Sequence, residues 1–237
     1  MNKDLFINGV GAMELPVSQK QTEQFLSYSK LLTEWNEKMN LTAVTDPDGI
    51  AVKHFLDSIL PLSYVSIPEG ATVADIGTGA GFPGLPIKIM RPDINLLLVD
   101  SLNKRINFLN TVVDELALES VKCVHGRAEE LAVKGDFREK ADVVVSRAVA
   151  NMTVLCEYCL PFVKTDGFFI ALKADNAEDE INSAKPMIGT LGGTVEDVIS
   201  APLPMSDMTR TLAVIRKTKE TPKQFPRRAD KIKKSAK

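Results

Sequence analysis

An apolar run that ends in glycines, Ala71-Thr-Val-Ala-Asp-Ile-Gly-Thr-Gly-Ala-Gly-Phe-Pro-Gly84, limits the folds open to this 237-residue chain. Residues 71–76 have the texture of a buried strand, and Pro83 and Pro86 suit the first turn of a helix beginning near Gly84. A strand that passes into a helix through Gly77, Gly79 and Gly81 lets a ligand approach the backbone closely. A Cβ at such positions would collide with the ligand or forbid a positive φ.

The rest of the chain extends this unit. Strand-like runs at 71–76, 94–100, 121–125, 141–146 and 167–173 alternate with helical stretches at 84–90, 103–118, 151–162 and 176–190. That alternation predicts an α/β fold with a doubly wound, mostly parallel sheet. Residues Thr194 to Ser200 and Arg210 to Lys217 are two further strand-like runs with no helix between them, so they are expected to pair antiparallel at one edge. Five βα units closed by a hairpin characterise the seven-stranded, Rossmann-like class I methyltransferase architecture, whereas dinucleotide dehydrogenases continue with parallel crossovers.

Residues 1–68 have another texture. Phe25, Tyr28, Leu31, Leu32, Trp35 and Met39 recur at steps of three and four behind Ser18, a suitable N-cap, which predicts an amphipathic helix. Asp46-Pro47-Asp48-Gly49 reads as a turn before a second helical stretch from about Ile50 to Leu60, with a connection from Pro61 to Gly70. Three regions are therefore expected: a helical extension (1–68), a ligand-binding domain (69–217) and a basic tail (218–237).

The acids around the loop bear on the ligand. Asp100 ends the second strand, 16 residues after Gly84, where a carboxylate can accept hydrogen bonds from both hydroxyls of a ribose. Gly79-Ala-Gly-Phe-Pro-Gly84 also satisfies Gly-x-Gly-x-x-Gly, so an NAD(P)-dependent oxidoreductase is a rival reading. Asp75 separates the two: an acid there attracts the ammonium of a methionine moiety, directly or through water, and repels a pyrophosphate. S-adenosylmethionine is the expected cofactor, with Asp75, Gly77, Gly79, Gly81, Asp100 and Ser101 in its site.

Taken together, Trp35-Asn36, Asn40-Leu41-Thr42, His54-Phe-Leu-Asp57-Ser58, the loop from Asp75 to Pro86, Val99-Asp-Ser-Leu-Asn-Lys-Arg105, Gly126-Arg-Ala-Glu129, Ser146-Arg147-Ala148 and Leu172-Lys173 resemble the RsmG (GidB) family of small-subunit ribosomal RNA methyltransferases. The pattern departs from that family at Ala174 and at Gln224–Asp230. The resemblance implies methylation of N7 of a guanine in a hairpin loop near the decoding centre of 16S ribosomal RNA. It also implies cofactor contacts at Gly77, Phe82, Ala128, Glu129 and Arg147, and 16S ribosomal RNA or the small subunit as partner. A cytoplasmic protein is expected from the lack of a membrane-length apolar run and of a basic region followed by an apolar run at Met1 to Gly11. A catalytically silent ribosome-binding protein on the same fold is the third reading.

Ser146-Arg147-Ala148 stands where many amino-directed methyltransferases carry Asn-Pro-Pro-Tyr, which argues against an exocyclic amine as acceptor. Guanine N7 offers a lone pair and loses no proton when attacked, so alignment is required and a general base is not. Arg147 is the expected positioning residue, suited to guanine O6, an RNA phosphate or the cofactor. Lys104, Arg105, Lys173, Arg227 and Arg228 are expected to form a basic rim for the RNA backbone, although each alone also fits a solvated charge. His54 and Asp57 share one helical face, either as an active-site contact or as a structural pair. His125 either lines the adenine pocket or closes the third strand.

Charge is unevenly distributed. Residues 216–237 hold ten Lys or Arg against two acids, on a remainder of 19 basic and 29 acidic residues. Such a tail either contacts a polyanion or is simply solvated. Deleting the segment after Lys217 is expected to weaken RNA binding and flatten its salt dependence while leaving cofactor affinity intact. Three cysteines are too few for a disulfide framework, and Cys156-Glu-Tyr-Cys159 lacks a second ligand pair, so buried packing and no metal site are expected. No apolar run is long enough to span a bilayer.

Overall fold

The computed structural model describes residues 1–133, 135–147 and 150–234, so Ala148 and the last three residues of the tail lie outside the described residues. Seven strands, β1 (Thr72–Ile76), β2 (Asn95–Asp100), β3 (Val121–His125), β4 (Ala141–Arg147), β5 (Val163–Ala174), β6 (Gly193–Pro202) and β7 (Thr209–Lys217), form one sheet in the order β3-β2-β1-β4-β5-β7-β6. The first five are parallel, and β7 runs antiparallel between β5 and β6. This is the expected class I methyltransferase sheet. β5 begins earlier than expected, at Val163, because Lys164, Thr165 and Asp166 are exposed and carry no buried-strand signal.

The helices are α1 (Lys3–Ala12), α2 (Gln19–Met39), α3 (Gly84–Met90), α4 (Asn103–Glu115), the short α5 (Ala128–Leu131), α6 (Met152–Cys159), α7 (Glu178–Thr190) and the terminal α8 (Ala229–Lys234). Ser18 caps α2 in a reciprocal box with Gln21. A further helical run goes from Pro47 to Ser63, its segment Ile50–Leu56 wound as a π-helix. Asp46-Pro47 therefore starts this helix and does not precede it: the Asp46 carboxylate accepts the Gly49 N–H at 2.6 Å and Pro47 occupies the first turn.

The N-terminal helices share their core with the sheet. Phe6 and Phe55 pack on Phe25 at ring-centroid distances of 4.6 and 5.0 Å, and this cluster continues through Leu85 and Phe108 to Leu98 of β2. On the opposite face, Leu155, Cys156 and Cys159 of α6 and Ile181 and Ile188 of α7 cover Ala74, Val144 and Phe169. The cysteine pair is thus core, and burial pushes both thiols above their ordinary range. Among the described residues, no helix is long and apolar enough to cross a membrane.

The described part of the basic tail is docked on the domain. Phe225 and Ile232 are buried, and Arg138 donates to the carbonyls of Thr221, Pro222 and Phe225. The fully buried Lys217 ammonium binds Glu139 Oε1 at 2.9 Å, Thr221 Oγ1 at 2.9 Å and two backbone carbonyls. The tail and the end of β7 are therefore held to the domain by cations satisfied inside the protein.

Candidate active site

The sheet order reverses between β1 and β4, and a doubly wound sheet opens its ligand crevice beside such a switch point, at the carboxyl ends of the strands. The glycine loop leaves β1 there. Gly77 and Thr78 donate N–H groups to Val99 O of β2 at 2.9 and 3.1 Å. Gly79 has a φ of +62° with open space where a Cβ would stand, and its N–H binds Asp100 Oδ2 at 2.9 Å. Gly81, with a φ of +97°, is different: a Cβ would overlap the Tyr28 hydroxyl and the Leu85 side chain. The loop is thus open towards its ligand and tightly covered from the helical side.

Asp75 lies fully buried under this loop. Its Oδ2 accepts from Thr78 Oγ1 at 2.7 Å and from the Gly84 N–H at 2.8 Å, bridging strand, loop and helix. Oδ1 is buried and has no hydrogen-bond partner among the described residues. Burial pushes the carboxyl up to about 7, against the lowering effect of the Thr78 and Gly84 hydrogen bonds. A buried, half-satisfied acid beside a glycine loop suits a cationic ligand group and opposes a phosphate.

A pocket of about 260 Å³ opens at the ends of β1, β2 and β3, with Gly77, Asp100, Ser101, Ala128, Glu129 and Tyr158 in its wall. Asp100, nearly buried, also accepts from the Leu102 N–H at 2.9 Å and from Arg105 Nη1 at 3.2 Å. Arg105, expected at an RNA rim, therefore lines this pocket as the ion-pair partner of Asp100. An acid for a ribose diol, glycine backbone and an aromatic wall together fit the adenosine of S-adenosylmethionine. His125 does not line the pocket, and its Nε2 meets the Ser101 carbonyl at 3.1 Å, a strand-end role.

Phe82 does not line the pocket either. Its ring stacks on His54 (4.6 Å, 12°) and on Tyr28 (5.4 Å, 16°), and the Tyr28 hydroxyl donates to Ala80 O. Phe82 thus holds the far lip of the loop to the helical layer. The His54 imidazole is buried with Nε2 against Thr42 Oγ1 at 2.7 Å. Burial, reinforced by the Arg147 charge, lowers its pKa to about 4, so the ring is neutral at pH 7.

A second cleft, of about 530 Å³, lies at the ends of β4, β5 and β7, lined by His54, Asp57, Arg147, Lys173, Glu180 and Arg210 among others. Arg147 sits 5.1 Å over the Phe82 ring and donates Nη1 to Asp57 Oδ2 at 2.9 Å and to Lys53 O at 3.1 Å. Arg210, expected only as the start of a strand, donates Nε to Asp57 Oδ1 at 2.7 Å. Lys173 pairs with Glu180 at 2.8 Å. Lys104 and Arg228 are exposed, whereas Arg227 forks onto buried Glu157 at 2.6–3.1 Å. Arg227 is thus a tail anchor, because Glu157 has no other cation to compensate it among the ion pairs of the described residues.

Fold and loop define a Rossmann-like, class I S-adenosylmethionine-dependent methyltransferase. Solved structures of low sequence identity show the fold. The TYW2 protein of M. jannaschii, crystallised with AdoMet, aligns with a TM-score of 0.55 at 14% identity over 74% of this chain and 79% of that one. A SAM-dependent methyltransferase from Aquifex aeolicus aligns at 0.53 and 16% identity over 77% of this chain and 97% of that one. The family is narrower: residues 21–205 match the family model GidB, rRNA small subunit methyltransferase G, and the chain belongs to that family. Proteins named ribosomal RNA small subunit methyltransferase G from Lachnoclostridium phytofermentans and Clostridium perfringens (strain SM101 / Type A) are 50% and 47% identical to it. These alignments cover 95% and 97% of this chain and 93% and 96% of those proteins.

Proposed function

We propose that this chain transfers the methyl group of S-adenosylmethionine to N7 of a guanine in small-subunit ribosomal RNA, in the 530 loop that the family resemblance points to. The observation that carries the reading is the pair of clefts at the strand ends. One has the acid and glycines for a nucleoside, and the other has two guanidiniums held by one carboxylate. S-adenosylmethionine supplies an electrophilic methyl carried on a sulfonium. Asp100 and Ser101 would hold its ribose side and Asp75 its ammonium, while Gly79 leaves room for its approach.

The protein's own contribution is placement. Three backbone or carboxylate oxygens converge on Arg147 Nη1, and among the described residues Nε and Nη2 make no hydrogen bond. That leaves one edge of the fork for guanine O6, beside N7 in the major-groove pattern. Neutral His54 supports the Phe82 ring without adding a second charge next to Arg147. Because N7 carries no proton, bringing it into line with the methyl can lower the barrier by several kcal/mol with no base involved. The exposed Lys104 and Arg228 remain available for RNA phosphates. A ribosomal RNA or an assembling subunit as substrate supports a cytoplasmic protein.

Small-subunit RNA from cells lacking the protein should lose chemical cleavage at one N7-methylguanine present in the wild type. Cleavage identical in both would refute the reading and favour a silent binder.

A further inference from the structure

Asp57 joins two arginines that are remote in sequence. It stands 90 residues before Arg147 and 153 before Arg210, and its side chain is 5% exposed. Arg147 ends β4, while Arg210 opens β7 opposite Ala174, the last residue of β5. β5 lies between those strands, so the carboxylate spans the end of β5, whose Leu172 and Lys173 floor the second cleft. A buried carboxylate between two cations is seldom the most stabilising way to fill such a space, since desolvation offsets much of the attraction. What it provides is orientation.

That orientation is specific. Asp57 takes Nη1 of Arg147 and Nε of Arg210. Among the described residues, the other Arg210 nitrogens have only long contacts, to Thr209 O at 3.3 Å and Met208 Sδ at 3.8 Å. Each fork therefore turns one edge to Asp57 and keeps donors for the cleft. Arg147 lies inward, over Phe82 at the glycine loop, and Arg210 lies on the far side of β5, on β7.

Resting on the proposed RNA methylation, we infer that Asp57 is a positioning residue that sets Arg147 against the target base and Arg210 against a phosphate of the same RNA strand. One carboxylate from the helical layer then couples base placement to backbone grip. It also halves the positive charge facing a guanine that becomes cationic on N7 methylation.

The test uses the full chain, ribosomal RNA and labelled S-adenosylmethionine. Asp57→Asn should lower kcat at least tenfold and raise the KM for RNA, with the Kd for the cofactor within twofold of wild type. Arg147→Lys should lower kcat, and adding Asp57→Asn to it should lower kcat less than threefold further, because one acts through the other. Arg210→Gln should raise the RNA KM at least fivefold with kcat nearly unchanged, and reduce the slope of log affinity against log salt by about one. Wild-type kcat and KM in an Asp57→Asn protein that binds cofactor, or additive losses in the double variant, would overturn the inference. If Asp57→Asn fails to fold, Arg210→Gln decides, and an unchanged salt slope is the contrary result. Failure of the wild type to methylate RNA would refute the proposed function itself, and the salt slope would still test the Arg210 contact.

Discussion

Arg227→Met should lower the melting temperature by roughly 6–20 °C, the consequence of stranding a buried charge in a chain of this size at about 3–5 kcal/mol. Glu157 is fully buried and receives the guanidinium through both oxygens, at 2.9 Å (Nε to Oε1) and 2.6 Å (Nη2 to Oε2). Without Arg227 it keeps only the N–H of residue 227 from this group, so it must protonate or drag α6 towards water. The effect reaches the cofactor, because α6 presents Leu155 and Tyr158 to the pocket beside Gly77. Affinity for S-adenosylmethionine should fall along with stability. Arg228→Met, a neighbouring exposed cation, should leave the melting curve where it was, and Glu157→Leu with Arg227→Met should recover most of the loss. Thermal melts and calorimetry on the four proteins check this. An Arg227→Met protein as stable as the Arg228→Met control would contradict the docked tail.

This replaces the simpler expectation that removing the tail touches only RNA binding. Cutting after Lys217 takes Thr221 from the Lys217 ammonium and the Arg227 fork from Glu157, so cofactor affinity cannot be indifferent to it.

Asp75→Asn should move stability and cofactor affinity in opposite directions. In the folded chain, burial holds the Asp75 carboxyl at about 7, above its ordinary 3.8. A raised acid pKa means that the folded state binds the proton more tightly than the unfolded one. Ionisation therefore costs stability as pH rises from about 4 to about 7, each unit of pKa difference being worth about 1.4 kcal/mol. Asparagine cannot ionise and keeps an oxygen for Thr78 and Gly84. Between pH 5 and pH 8, the ligand-free variant should gain on the wild type by a few kcal/mol, read from melts across that range. Its affinity for S-adenosylmethionine should fall at least tenfold, since the charge opposite the ammonium is gone. A stability difference independent of pH, or an undiminished affinity, would count against the role of Asp75.

The parts of the fold that were legible in the sequence are those that short-range chemistry dictates. The glycines at 77, 79 and 81, the acid closing β2, the alternation of strands and helices and the terminal hairpin each leave a local signature. Asp46-Pro47 was legible but ambiguous, since a turn and an N-cap use the same residues. Phe82 could be placed in the loop but not in its stack, because His54 and Tyr28 come from helices far away in sequence. The pairings of Asp57 with Arg147 and Arg210 and of Glu157 with Arg227 were beyond reach: nothing local tells a charge which partner, 70 to 153 residues away, will meet it. The short connection from Pro202, which ends β6, to Thr209 was one usable signal, since it delivers the start of β7 to the carboxyl end of β5.

The central claim is methyl transfer to one ring nitrogen in small-subunit RNA. The most direct measurement is a mass-spectrometric map of methylated nucleotides after purified protein, labelled S-adenosylmethionine and unmodified small-subunit RNA or subunits are incubated together. The account predicts label on a single guanine, at N7, in the 530 loop. Label on an exocyclic amine or a ribose, or no label from a protein that binds NADH and not the methyl donor, would contradict it.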